Sequence, residues 1–344
     1  MMRPYTAAHA DAGVATPRRP PLTVAIAPLT NAPGNPDCPA PEGRLAQIDY
    51  GAAHRQCMGD PGRLVVGLPT LGEPALRELW QTPAPVVTGW QDGIGYGQGP
   101  DLLFAHLLLL DPGTVDLADL AERAYTQLLA FIRARGFPHP LRMWNVLARV
   151  HDCNRGLERY RAFCVGRDRA LRLAGLAPTR FPAATAVGAA TSGLLVYLFA
   201  GRTPGLAVEN PRQVSAWRYP ARYGPRPPSF ARGLHYPANG SGCFFISGTA
   251  SVVGHRSLHP GDLGRQLRET LNNLEVLTDA AGVGRPSLLK VFLRDPRHLE
   301  QTRAGLRHWA PTGTPVLYLH AQVCRAELEI EIEGVCARPP DASQ

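Results

Sequence analysis

The sequence predicts an α/β fold of repeated modules, each a mixed sheet backed by helices, and three observations carry that reading. The last hundred residues alternate strand and helix patterns in the order strand, helix, strand, helix, strand, as apolar residues switch between periods of two and about 3.6. Residues 110–200 run through a related order, which predicts a structural repeat without sequence identity. At 44% hydrophobic and 19% charged residues, the 344-residue chain has the composition of a globular protein with a sizeable core.

Composition shifts divide the chain into a Pro/Ala-rich segment (1–45), an α/β region with one module (46–208), a connector rich in Arg, Tyr and Pro (209–240) and a C-terminal module (241–337), the clearest of them. In order, LTVAIAPL gives a short extended piece, and RLVVGLP (63–69) and PAPVVTGW (83–90) read as strands. Gly93, Gly95, Gly97 and Gly99 have the density of a phosphate loop. A phosphate loop would open a helix, whereas Leu102, Phe104, His106, Leu108 and Leu110 alternate like a strand, so the glycines read as a loop between two strands.

Asp116 is an expected N-cap for a helix carrying Leu117, Leu120, Ala121, Ala124, Leu128, Phe131 and Ile132, stopped by Gly136. A strand over 141–150, a helix over 155–173 and two strands ending at Gly201 follow. In the last module CFFISGTASVVG predicts a strand with a turn at Ser247-Gly248. A helix over 263–277 and a strand over 287–295 come next. Asp295-Pro296 opens a helix ending near Trp309, and PVLYLHA and AELEIEIEGV close as strands.

No apolar run approaches the roughly 18 residues of a membrane span, and no secretory leader is recognisable. Seven cysteines without a CxxC pair predict free thiols in a reducing, cytoplasmic compartment. The net charge of +8 is almost wholly arginine, Lys290 being the sole lysine; no nucleic-acid-binding module accompanies it, so neither nucleic acid nor membrane is an expected partner. His255, His259 and Asp262 could ligate a metal, but they sit between a strand and a helix where Asp262 is better used as a cap, so no metal is expected. Ser247 lacks a nucleophile elbow.

Two stretches remain. Five prolines between residues 209 and 233 stiffen the connector, which sets Arg212, Arg218, Arg222, Arg226 and Arg232 among Trp217, Tyr219, Tyr223 and Phe230, a composition suited either to a solvated loop or to holding an anion. Near the end, Glu327, Glu329, Glu331 and Glu333 occupy every second position, which in a strand is one face, with Leu328, Ile330 and Ile332 on the other. By composition alone that face is solvated.

FFISGTAS, LNNLEVL, LLKVFLRD and the closing EIEIEGV resemble the RidA (YjgF) family, a chorismate-mutase-like α+β fold. The arginine with which that family's imine deaminases hold a carboxylate would fall at Val316, fifteen residues before Glu331, so the resemblance does not extend to that activity. MWN (143–145), ERYRAF (158–163), ENPRQVSAWRYPARYGPRPPSF, SGTASVVGHRSLHPGD and CRAELEIEIEG resemble the chorismatase family, whose fold is RidA-like.

This second resemblance covers nearly the whole chain. It implies cleavage of chorismate to pyruvate without a cofactor, with Glu331 as the acid that protonates the enol-ether methylene and Glu329 or Glu333 as fallback. A neutral carboxyl raised by burial suits that task. Cys324, seven residues before Glu331, implies the branch that makes 3-hydroxybenzoate, in some members with 4-hydroxybenzoate, by internal displacement on the ring and aromatisation. Two substrate carboxylates call for cationic clamps, for which Arg218, Tyr219, Arg222, Tyr223 and Arg226 are the candidates. A monomer is expected. The alternatives are a RidA-like imine deaminase and a non-catalytic module binding a small ligand.

Overall fold

Apolar alternation in the middle of the chain builds a seven-stranded sheet. Its order runs from Val87–Gln91 through Ile94–Gln98, Leu102–Leu109, Leu194–Gly201, His139–Ala148 and Ala183–Ala189 to Gln322–Val323. In this computed structural model, which describes residues 22–29, 43–72, 74–113, 115–236 and 242–337, two helices cover one face of that sheet. They are α1 (Leu117–Ala134), whose amide at Ala118 is capped by Asp116 as expected, and α2 (Arg159–Leu173). The second sheet runs Leu206–Val208, Gly233–Tyr236, Cys243–Thr249, Ile330–Ala337, Leu288–Leu293, Val316–His320, backed by α3 (Leu263–Ala280) and α4 (Leu299–Arg307).

Apart from Gln322–Val323, which the C-terminal part of the chain adds at the far edge of the first sheet, these two sheets have the same order. A hairpin arm leads to a long strand; the module's last strand lies beside it; the two strands that follow the helices lie beyond, parallel to each other. The expected repeat is therefore a repeat of topology. Its physical basis is the apolar pattern, since helix faces and sheet faces are matched in both modules while side chains differ.

Each sheet is apolar on two faces. In the closing strand Ile330 and Ile332 face α3 and α4, and Val335 faces inward. The inward faces of both sheets meet a third, five-stranded sheet of order Thr23–Pro28, Leu76–Gln81, Arg44–Tyr50, Arg63–Val66, Arg55–Gln56. One core joins all three: Leu45, Ile48 and Trp80 from the third sheet, Phe104, Trp144 and Phe199 from the first, Phe245, Phe292 and Leu319 from the second. Fully burying side chains of this size stabilises by about 1.5–3 kcal/mol each.

Several expectations change. The extended piece expected at LTVAIAPL and the strand expected over 63–69 both enter this N-terminal sheet, as Thr23–Pro28 and Arg63–Val66, while Arg44–Tyr50 and Leu76–Gln81 were not anticipated. The glycines after Asp92 do not form a loop: Ile94–Gln98 is a strand, hairpinned to Val87–Gln91. A Cβ at Gly97 would lie 2.2 Å from the Leu45 carbonyl oxygen, and one at Gly95 2.4 Å from the His106 ring, so close approach explains the glycines. Ser247 and Gly248 stay within a strand, and a short hairpin (Cys153–Asn154 with Leu157–Glu158) delays α2 to Arg159. Glu327 and Glu329 precede the last strand, which starts at Ile330.

Candidate active site

The face that carries Glu331 and Glu333 is an interior one. Both point from the closing strand toward the first sheet and are buried at 5% and 2% exposure, yet their surroundings differ sharply.

Glu333 is fully engaged. Its Oε2 accepts from Arg142 Nη2 at 2.6 Å, and its Oε1 accepts from Trp144 Nε1 at 2.7 Å and pairs with Lys290 Nζ at 2.7 Å. Burial would raise its carboxyl, but Arg142 and Lys290 outweigh burial and hold it down to about 2. An acid so strongly held as a carboxylate cannot deliver a proton at neutral pH, which removes Glu333 as the fallback. Glu329, outside the strand and half-buried beside His298 at 3.9 Å, points elsewhere.

Glu331 makes no hydrogen bond or ion pair with any described residue. Burial and the adjacent Glu333 push its carboxyl up to about 8, against the opposing pull of Arg142 and Arg232. Its carboxyl lies over Gly248, where a Cβ would come within 1.9 Å of Oε1. Gly248 is therefore a cradle for this side chain; its amide donates to Thr185 Oγ1 at 3.0 Å, which fixes the strand against the first sheet.

Glu331 and Gly248 help line a cavity of about 440 Å³ between the two helix-backed sheets. Tyr160 and Cys164 from α2, Tyr219, Arg222, Tyr223, Phe230 and Arg232 from the connector, and Cys324 and Arg325 before the closing strand complete most of its wall. Cys324 is placed with Glu331, as the sequence suggested. Burial first, and then the Glu331 carboxyl, push its thiol up to about 12, so it stays protonated. The Tyr160 hydroxyl interacts with the thiols of both Cys164 and Cys324.

Of the five connector candidates, Tyr219, Arg222 and Tyr223 line the cavity and two do not. Arg218 stacks on Trp217 at 4.4 Å, and Arg226 pairs with Asp168 on α2 at 3.3 Å. Two short turns on either side of Pro220 set this pattern: Ala216–Arg218 and Ala221–Tyr223 are single 3₁₀ turns, so successive side chains diverge and only some face inward.

Arg232 and Arg325 were not singled out for the site. Arg232 is 5% exposed, with Nη2 donating to Val214 O at 3.0 Å and Tyr219 Oη at 2.6 Å. Arg325 lies 4.4 Å over the Tyr223 ring and donates to His255 O at 3.0 Å. Among the described residues the guanidinium groups of Arg222, Arg232 and Arg325 form no salt bridge, although the Glu209 carboxylate lies beside Arg232 and accepts from its backbone amide at 3.2 Å; Arg161, Glu158 and Glu327 also line the cavity. A signal for Arg325 was present in its place beside Cys324. Arg232 is one of five similar connector arginines, and nothing in the sequence separates it from Arg226.

Arg222 Nη2 donates to His255 Nδ1 (2.8 Å), and Asp262 caps α3 by accepting from Arg265 N (2.9 Å). Among the described residues no group of three or more His, Cys, Asp or Glu is placed to hold a metal ion, and no helix is long and apolar enough to cross a membrane.

Fold and site together present a cavity lined by arginines, tyrosines and a buried carboxyl that its surroundings keep protonated. Comparison with known proteins gives the family. Residues 78–200 match the model of the chorismatase FkbO/Hyg5-like N-terminal region. A 3-hydroxybenzoate synthase of Streptomyces hygroscopicus is 36% identical over 275 residues, 75% of this chain and 80% of that protein. A chorismatase of Streptomyces rapamycinicus is 33% identical over 321 residues, 88% and 96% respectively. The crystal structure of a chorismatase superposes with a TM-score of 0.83 at 30% identity, covering 92% of this chain and 99% of that one. The chain belongs to the chorismatase family.

Proposed function

We propose that this protein converts chorismate to pyruvate and 3-hydroxybenzoate, with 4-hydroxybenzoate as a second product of the same intermediate, and that it does so as a monomer. The observation that carries the reading is Glu331: a buried carboxyl without a salt bridge, raised to about 8, at the wall of a cavity that also presents Arg222, Arg232 and Arg325.

Chorismate has two carboxylates, an enol ether and a ring hydroxyl. Arg222, Arg232 and Arg325, with Tyr219 and Tyr223, supply the cationic and hydroxyl groups that such an anion requires. Glu331 delivers its proton to the enol-ether methylene, turning it into a methyl group and leaving an oxocarbenium ion. The ring hydroxyl oxygen then attacks the neighbouring ring carbon as the ring C–O bond breaks and pyruvate leaves. The hydroxyl proton returns to the Glu331 carboxylate.

The product of that step is an arene oxide, an isomer of hydroxybenzoate. Opening of the epoxide and transfer of one hydrogen from ring carbon to oxygen completes aromatisation, with no water or redox partner consumed. Cys324, kept as a thiol, offers a weakly polar wall where a water molecule would otherwise compete for the cation, and so favours the internal displacement.

Pyruvate release from chorismate is the test. The wild-type chain releases pyruvate and hydroxybenzoate in equal amounts, and Glu331→Gln loses about 10²–10⁴-fold in turnover. Absence of pyruvate, or full turnover in Glu331→Gln, rules the reading out. Cys324→Ala shifts the mixture toward the hydrated diene acid; an unchanged mixture removes Cys324 from product choice.

A further inference from the structure

Glu333 lies one step along the strand from Glu331 and belongs to a buried tetrad that does not line the cavity. Arg142 Nη2 is 2.6 Å from both Glu333 Oε2 and Thr185 Oγ1. Lys290 Nζ bridges Glu333 Oε1 at 2.7 Å and Glu78 Oε1 at 3.0 Å. Glu78, on the five-stranded sheet, also accepts from the Tyr50 hydroxyl and from Trp80 Nε1 at 3.0 Å. Two cations therefore face two carboxylates, and the set is balanced without Glu331.

We propose that Glu333, with Glu78 behind it, is a positioning group for the reaction: by engaging both Arg142 and Lys290 it leaves Glu331 without a counter-ion and so keeps it as the proton donor. The proposal rests on the reading of Glu331 as the acid. The groups that face Glu331 are Glu333 on its own strand, Arg142 from the first sheet, Arg232 from the connector, Tyr160 from α2 and Cys324 from the preceding turn. Burial raises Tyr160 and Cys324, which stay neutral. Arg232 spends its Nη2 on Val214 O and Tyr219 Oη. Arg142 is thus the cation whose partner matters: paired to Glu333 it leaves Glu331 neutral, and released it would pair with Glu331 and hold it as a carboxylate.

The experiment is the pH profile of kcat/KM for pyruvate release by the full chain, with a thermal melt of each variant. Glu333→Gln keeps the shape and removes one negative charge. Its alkaline limb is expected to move to lower pH by on the order of one unit or more, so that the loss of activity is greatest above neutrality. Glu333→Gln with Lys290→Met restores the charge balance and brings the limb back toward the wild-type position. Glu78→Gln, one ion pair further out, moves the limb in the same direction by less, and it carries the test should Glu333→Gln fail to fold. A loss of rate with the limb unmoved overturns the proposal and leaves the tetrad a structural role. Failure of the underlying reading is distinct: it shows as wild-type turnover in Glu331→Gln.

Discussion

Two glutamates at adjacent positions of one strand face hold opposite protonation states, and the difference lies in their partners. Alternation in the sequence placed Glu331 and Glu333 on a common face, but it could not show that Arg142, Trp144, Lys290 and Glu78 converge on only one of them from distant parts of the chain. Function should follow the neutral carboxyl: kcat/KM is expected to hold steady below about pH 8 and to fall as pH rises through that value, as a profile of initial pyruvate release will show. Stability carries the same sign. Glu331 is raised in the folded state, so its contribution is complete below the unfolded value of 4.5 and is lost as pH rises through about 8. Glu331→Gln should therefore melt higher than the wild type near neutral pH, by on the order of 2 kcal/mol, while inactive. Gly248→Ala is expected to abolish activity, since a Cβ there would displace the Glu331 carboxyl by contact at 1.9 Å; retained turnover would show that the carboxyl can work from another position.

At the level of elements, the connector is where the sequence was only half legible. Its composition pointed to anion binding, and Tyr219, Arg222 and Tyr223 do reach the cavity. Which arginines face inward depends on two single 3₁₀ turns, whose three-residue pitch is not marked by any apolar period. The consequence is measurable by alanine substitution and steady-state kinetics. Arg232→Ala and Arg325→Ala should raise KM for chorismate by tenfold or more, each losing a charge-assisted contact worth about 1.5–3 kcal/mol. Arg218→Ala and Arg226→Ala should change KM by less than about threefold, because both side chains are occupied outside the cavity; a large effect there would place them in the site. The helices and strands of the two modules were far more legible, because periods of two and 3.6 persist over ten or more residues in them.

Over the whole molecule, three sheets share a single core, and the five-stranded one was only partly legible, at Thr23–Pro28 and Arg63–Val66, because short strands broken by Gly and Pro leave little periodic signal. That sheet nonetheless supplies Trp80, whose ring packs 4.8 Å from Phe199 and 6.4 Å from Phe245, one from each of the other sheets. Trp80→Ala is expected to cost about 3–5 kcal/mol, and to lower one cooperative transition rather than split it, which a denaturant titration followed by two probes will establish. The order of the strands bears on how the protein comes into being. The strand bearing Glu331 is the last of its sheet along the chain, yet it pairs between Cys243–Thr249 and Leu288–Leu293. On the ribosome, both neighbours emerge first and wait with open, apolar edges for a few seconds at roughly 5–20 residues per second. Shielding of those edges by chaperones matters most in that interval, and Glu331 reaches the cavity only when the final strand slides into the gap, so that completion of the cavity wall and closure of the sheet arrive together.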